Sequence, residues 1–219
     1  MLSALRKTGF RIARYPSVTA SQKLLDTHKF FIDMFAIIED ISGSIIECGF
    51  GRGESFMSLT NLAEKNNRKI YGFDSFEGFP NPSVHDDSVR LAKKGQWNVR
   101  SLKEPSSQIS GWGMARNFRQ NNVHLIKGFV ENSVPTFSEN KDDIALLHID
   151  LDLYQGYKIV LDRLYPNLAL GGVICFDEYQ EIKWPGSTKA IDEFLTLNPD
   201  LKLIKHNSGK HYLINNKSK

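Results

Sequence analysis

Ser44-Ile45-Ile46-Glu47-Cys48-Gly49-Phe50-Gly51-Arg52-Gly53-Glu54-Ser55 decides how the rest of this chain is read. Ser-Ile-Ile-Glu-Cys-Gly-Phe is a short run rich in β-branched residues. Two more glycines follow it, and then Ser55-Phe-Met-Ser-Leu-Thr-Asn-Leu-Ala-Glu-Lys-Asn66, with apolar residues at helical spacing. A strand, a glycine turn and a helix in that order begin a βαβ unit, and the same alternation recurs downstream. KIYGFDSF, VHLIKGF, IALLHIDLDLY and, after a Gly171–Gly172 turn, GVICFDEY read as further strands. GWGMARNFRQNN, YKIVLDRLYPNL and TKAIDEFLTL read as helices between them. Strands that are apolar almost throughout and alternate with helices predict an α/β fold, a doubly wound and mostly parallel sheet covered on both faces. The end differs: LKLIKH and KHYLIN flank an Asn-Ser-Gly turn and predict a C-terminal antiparallel hairpin.

Upstream, apolar residues recur at helical spacing from Leu24 to Ile41, and Ser42–Gly43 ends that helix. Before it, MLSALRKTGFRIARYPS is basic and lacks the apolar core of a secretory signal, so it reads as an N-terminal extension. Residues 1–43 therefore form an extension and helix, and 44–219 the main domain. Roughly 48 residues separate Asp74 from the third strand, far more than one crossover helix needs. Residues 79–110, rich in Pro, Ser, Lys and Asp, are expected to form a lid or a surface insertion. Arg90, Lys93, Lys94, Arg100 and Lys103 there could face an anionic acceptor or only solvent. Trp97 and Trp112 could stack on a sugar ring or pack the lid.

The 219 residues suffice for one domain with attachments, and 41% hydrophobic with 24% charged residues excludes wholesale disorder. A net charge of +3 is too mild to argue for nucleic acid, and no apolar run approaches the ~18 residues of a membrane helix. Two cysteines, Cys48 and Cys175, each inside an apolar strand, exclude a disulfide scaffold and fit a reducing, cytoplasmic setting. A homo-oligomer, a symmetric dimer by default, is expected.

The glycine loop lacks the Gly-Lys-Ser/Thr ending of a phosphate loop, and Glu54 stands where a dinucleotide fingerprint needs its third glycine. What remains suits a ligand with a polar, weakly anionic end, such as an amino-acid moiety. An ordinary strand–helix turn would use the same glycines. Asp74, at the end of the second strand, is placed to accept from ribose hydroxyls, or else to cap the turn that Asp-Ser begins. Lys127-Gly128-Phe129-Val130 is where an adenine would lie.

Asp150 and Asp152 lie at the end of the fourth strand, Asp177 and Glu178 at the end of the fifth. Neighbouring strand ends are about 5 Å apart, so these carboxylates crowd one edge. Neither motif holds a Lys or Arg to neutralise them, whereas a hard divalent cation would; oxygen donors favour Mg²⁺, Mn²⁺ or Ca²⁺. His148 is a candidate partner behind Asp150 or a satisfied core residue. Methyl transfer joins the two features: a sulfonium donor needs an aligned nucleophile, and a hydroxyl becomes one when a cation and a carboxylate help remove its proton. A nicotinamide-dependent oxidoreductase, a two-metal phosphatase or nuclease, and a non-catalytic cofactor-binding module are the alternatives.

Six blocks in order, ECGFGRGES, GFDSFEGFP, GFVENSVP, LHIDLDLY, LYPNLALGGVICFDEY and PGSTKAIDEF, resemble the macrocin/mycinamicin-type sugar O-methyltransferases, the group of the novobiocin-pathway O-methyltransferase. The resemblance implies a Rossmann-like class I methyltransferase domain using S-adenosylmethionine and Mg²⁺. Its acceptor would be a small glycoside or a nucleotide-sugar-like molecule. It also implies that Glu47, Gly49, Gly51, Gly53, Asp74, Ser75, Gly128 and Phe129 hold the cofactor. Asp150, Asp177 and Glu178 would hold the metal, and Asp152 would act as general base. The acidic pair here reads Asp-Glu, where relatives carry two aspartates or Glu-Asp.

Overall fold

Gln22–Ile37 forms α1 in the computed structural model, which describes residues 22–98, 122–138 and 143–217. The basic segment before α1, residues 99–110 of the expected lid and nearly all of the GWGMARNFRQNN helix lie outside the described residues. α1 stops four residues short of the predicted Ile41. Arg68 explains the early stop. Its guanidinium donates to the carbonyls of Ile38, Glu39, Ile41 and Gly43 at 2.6–3.2 Å, replacing helical partners along the exit from α1.

Next come β1 (Ser44–Cys48), α2 (Glu54–Lys65), β2 (Ile70–Asp74), β3 (Val123–Lys127), α3 (Val130–Ser138), β4 (Ile144–Ile149) and α4 (Tyr154–Leu164). β5 (Leu168–Phe176), α5 (Pro185–Leu197), β6 (Leu203–Lys205) and β7 (His211–Ile214) complete the order. One sheet holds the strands as β3-β2-β1-β4-β5-β7-β6, with β7 antiparallel to both its neighbours and the other pairings parallel. The strand order reverses between β1 and β4, and the crevice beyond their C-terminal ends is where such sheets bind ligands.

Two local differences from the sequence reading have physical causes. Gly171–Gly172 is not a turn before β5. The strand runs through it with a register shift: Ile144 pairs Leu168, but Leu146 already pairs Val173. Gly171, at φ 79°, makes this irregularity, and Asn215 ties it down by donating to Leu168 O and Ala169 O. α3 was not foreseen, because it has nine residues and carries Pro135 inside it.

Adjacent strand residues face opposite layers. Ile45 packs with Phe30, Phe31, Met34 and Phe56 under α1 and α2, whereas Ile46 packs with Tyr157, Val160 and Ile191 under α4 and α5. Each of these buried side chains contributes roughly 1.5–3 kcal/mol. α1 thus shares the core of the domain. No helix among the described residues is long and apolar enough to cross a membrane.

Candidate active site

Gly49 is where two strand ends meet. Its N–H donates to Phe73 O at 2.8 Å, and Asp150 N donates to Cys48 O at 2.9 Å. A Cβ at Gly49 would stand 1.8 Å from Asp150 O, and its φ of 87° disfavours any other residue. Asp74 closes the loop that follows: Oδ2 accepts from Gly51 N at 2.8 Å and Oδ1 from Phe76 N at 2.7 Å. Burial pushes the Asp74 carboxyl up, and these two N–H bonds hold it back. Ser75 Oγ donates to Gly78 O at 3.1 Å and accepts from Glu77 N, folding the chain back over the loop.

These groups line a cleft of about 720 Å³. Gly49, Gly51, Asp74, Ser75, Gly128 and Phe129 form one wall, and Asp150, Asp152, Asp177 and Glu178 stand on the other. Glu47 and Gly53 are not on either wall. Gly53, at φ 86°, turns the chain into α2. Glu47 points below the sheet edge, fully buried, where its Oε1 lies 2.9 Å from His148 Nδ1. His148 also packs edge-on against Phe31 of α1, so it is a partnered core residue. Burial would lower its pKa, but Asp177 and Glu47 outweigh that and raise it to about 9.

Asp150, Asp177 and Glu178 each place one carboxylate oxygen within 4.8 Å of the others. The convergence follows from the register: Ile149 pairs Phe176, and Asp177 N donates to Ile149 O at 3.1 Å. Burial and the Asp177 charge raise Asp150 to about 6; burial, Asp150 and Asp177 push Glu178 well up. Asp177 behaves differently. Burial would raise it too, yet the adjacent His148 and Lys210 hold it well below the usual carboxylate range. Lys210, just ahead of β7, pairs directly with Asp177, so one carboxylate of the cluster has a cation from the chain itself. Asp150 and Glu178 remain short of positive charge, and Glu178 Oε1 is buried with no hydrogen-bond partner. By donor type and by that unpartnered atom, the three acids fit a hard divalent ion. Tyr157 OH contacts Glu178 Oε2 and lies 2.8 Å from Ile149 O, fixing Glu178 from behind. Asp152 sits at φ 62° in a tight turn where Leu153 N donates to Leu151 O, a conformation Asp tolerates better than most residues.

Part of the expected lid folds over this wall. Asp86 is buried; its Oδ2 accepts from Ser83 N and Oγ, and its Oδ1 accepts from Tyr154 N at 2.7 Å, at the start of α4. Ser88 Oγ donates to Lys183 O at 2.9 Å, and Phe79 meets Trp184 edge-on. Asp86, Tyr157 and Lys210 were all missed in the sequence. Only Asp86 left a signal there, as the end of Ser83-x-x-Asp86, a capping box.

A family profile described as Macrocin-O-methyltransferase (TylF) matches residues 14–204. The chain is similar to the demethyldecarbamoylnovobiocin O-methyltransferase of Streptomyces niveus, with 26% identity over 71% of this chain and 59% of that protein. It is also similar to a Streptomyces olivaceus enzyme, 8-demethyl-8-(2,3-dimethoxy-alpha-L-rhamnosyl)-tetracenomycin-C 4'-O-methyltransferase. There the identity is 25% over 75% of this chain and 64% of that protein. The chain thus spans less than two thirds of the length of either. Among solved structures, the calicheamicin methyltransferase CalS11 superposes with a TM-score of 0.79 at 25% identity, over 97% of this chain and 89% of that one.

Proposed function

This chain belongs to the macrocin O-methyltransferase family, and we propose that it moves a methyl group from S-adenosylmethionine to a hydroxyl of a sugar or other polyhydroxylated acceptor. One observation carries the reading: a glycine loop closed by Asp74 and a cluster of three carboxylates line a single cleft. The close backbone at Gly49 and Gly51 suits the amino-acid end of the donor. Asp74 suits its ribose, and Gly128–Phe129 its base. The rhamnosyl group in the name of the S. olivaceus relative supports a sugar as the acceptor class.

Asp150, Asp177 and Glu178 would hold Mg²⁺. The ion, when bound, supplies Lewis acidity that lowers the pKa of an acceptor hydroxyl. Lys210 shares Asp177, so Asp150 and Glu178 are the donors with most to gain from the ion. Asp152, on the same wall, receives the hydroxyl proton at its carboxylate, and holding the acceptor oxygen in line with the sulfonium methyl is the cleft's other task.

Asp152→Asn tests the base. S-adenosylhomocysteine affinity should persist while turnover falls roughly 10²- to 10⁴-fold. Unchanged turnover refutes the assignment. EDTA tests the ion separately: activity should be lost in chelator and return with Mg²⁺, and full activity in chelator removes the metal role.

A further inference from the structure

Arg90 lies on the lip of the cleft, on the side of the acid cluster. Its guanidinium carbon is 4.6 Å from the ring centroid of Trp184 and 5.2 Å from that of Trp97. Trp184 N donates to Glu181 O, and Glu181 N to Glu178 O, so this lip continues directly from the carboxylates. The backbone of Arg90 is fixed, because its N–H donates to Ser88 Oγ while that hydroxyl donates to Lys183 O. One atom of the guanidinium lacks a partner. Nε is buried without a hydrogen-bond partner, and no carboxylate among the described residues pairs with the group, although Glu181 lines the same cleft. A buried donor is ordinarily hydrogen-bonded. Aromatic faces favour a cation but leave its N–H edge free to donate, and that edge matches two oxygens of a phosphoryl or carboxylate group.

We infer that Arg90 is a specificity residue that binds an anionic substituent, phosphoryl or carboxylate, on the acceptor sugar. Trp184 and Trp97 hold the guanidinium, and Lys183 on the same lip adds positive charge. The inference rests on the sugar-methylation reading and narrows its acceptor to charged sugars.

Calorimetric titration of the protein loaded with S-adenosylhomocysteine tests it without requiring turnover. The probes are a nucleoside diphosphate hexose, a hexose 1-phosphate, a hexuronate and a neutral methyl hexoside. At least one charged probe should bind roughly 10- to 100-fold more tightly than the neutral one, with the gap narrowing as salt rises. Comparing the phosphorylated probes with the hexuronate tells phosphoryl from carboxylate. Arg90→Gln should close the gap and leave S-adenosylhomocysteine affinity unchanged, and Arg90→Lys should restore part of it. The inference is overturned if the neutral probe binds as well as all the charged ones, if no charged probe binds, or if the gap survives Arg90→Gln. Weakened S-adenosylhomocysteine binding in Arg90→Gln overturns it too, by assigning the residue to the cofactor. The same titrations without S-adenosylhomocysteine read the anion preference even where the methyl-transfer reading fails.

Discussion

At the β1–β2 end of the cleft, the polar groups are backbone amides and a carboxylate already bonded to two of them. At the β4–β5 end they are side chains drawn from four separate parts of the chain: Asp150 and Tyr157, Asp177 and Glu178, Lys210, and Asp86 with Arg90. The first wall is rigid in shape, since little besides glycine fits where Gly49 meets Asp150. The second is held by charge, so it responds to pH, to ions and to single substitutions that leave its shape alone. A donor molecule common to many enzymes suits the first kind of wall, and a variable acceptor the second.

Gly49→Ala should produce the largest effect. The added Cβ would press on the Asp150 carbonyl from a left-handed backbone, and a loss of more than about 3 kcal/mol in denaturant unfolding is expected, together with S-adenosylhomocysteine binding. An unchanged midpoint would break the claim that backbone shape defines that wall. The second effect is electrostatic. His148 gains a raised pKa on folding, so its contribution is fully present below the unfolded value near 6.5 and is lost as pH climbs through about 9. Unfolding free energy in chelator should fall by something on the order of 3 kcal/mol across that window. His148→Gln should flatten the decline; a decline of equal size in the variant would place its origin elsewhere. The smallest effect is expected at the lid. Asp86→Ala removes the acceptor of Tyr154 N and two bonds to Ser83, costing about 1–2 kcal/mol. It should weaken acceptor binding more than donor binding. Equal losses for both would mean that the two walls are not separable.

The rigid wall was the legible one. Gly49, Gly51 and Asp74 announce themselves because strand, tight turn and strand end lie at fixed spacing, and the order of the strands follows from their apolar runs and the turns between them. The convergence of Asp150 with Asp177 and Glu178 was legible too, since parallel neighbours end together. Glu47 was misleading: a carboxylate just before a glycine loop looks like a ligand group, but alternation along β1 sends it to the α1 face, where His148 meets it. Lys210 was invisible, because nothing in a lysine after Asn-Ser-Gly points to the acid cluster until the β5–β7 pairing brings it to Asp177. Arg90 was one of several basic residues in a loop with no period, and only packing on two tryptophans separates it from the rest.

The bond from Tyr154 to Asp86 has a practical consequence for anyone exchanging this loop to redirect the proposed acceptor choice. α4 begins two residues after Asp152, so the loop and the proposed proton acceptor share one anchor. A transplanted loop that carries an acid at the Asp86 position keeps that anchor seated. One that lacks it alters reactivity along with selectivity, and a chimaera of that kind reports on both at once.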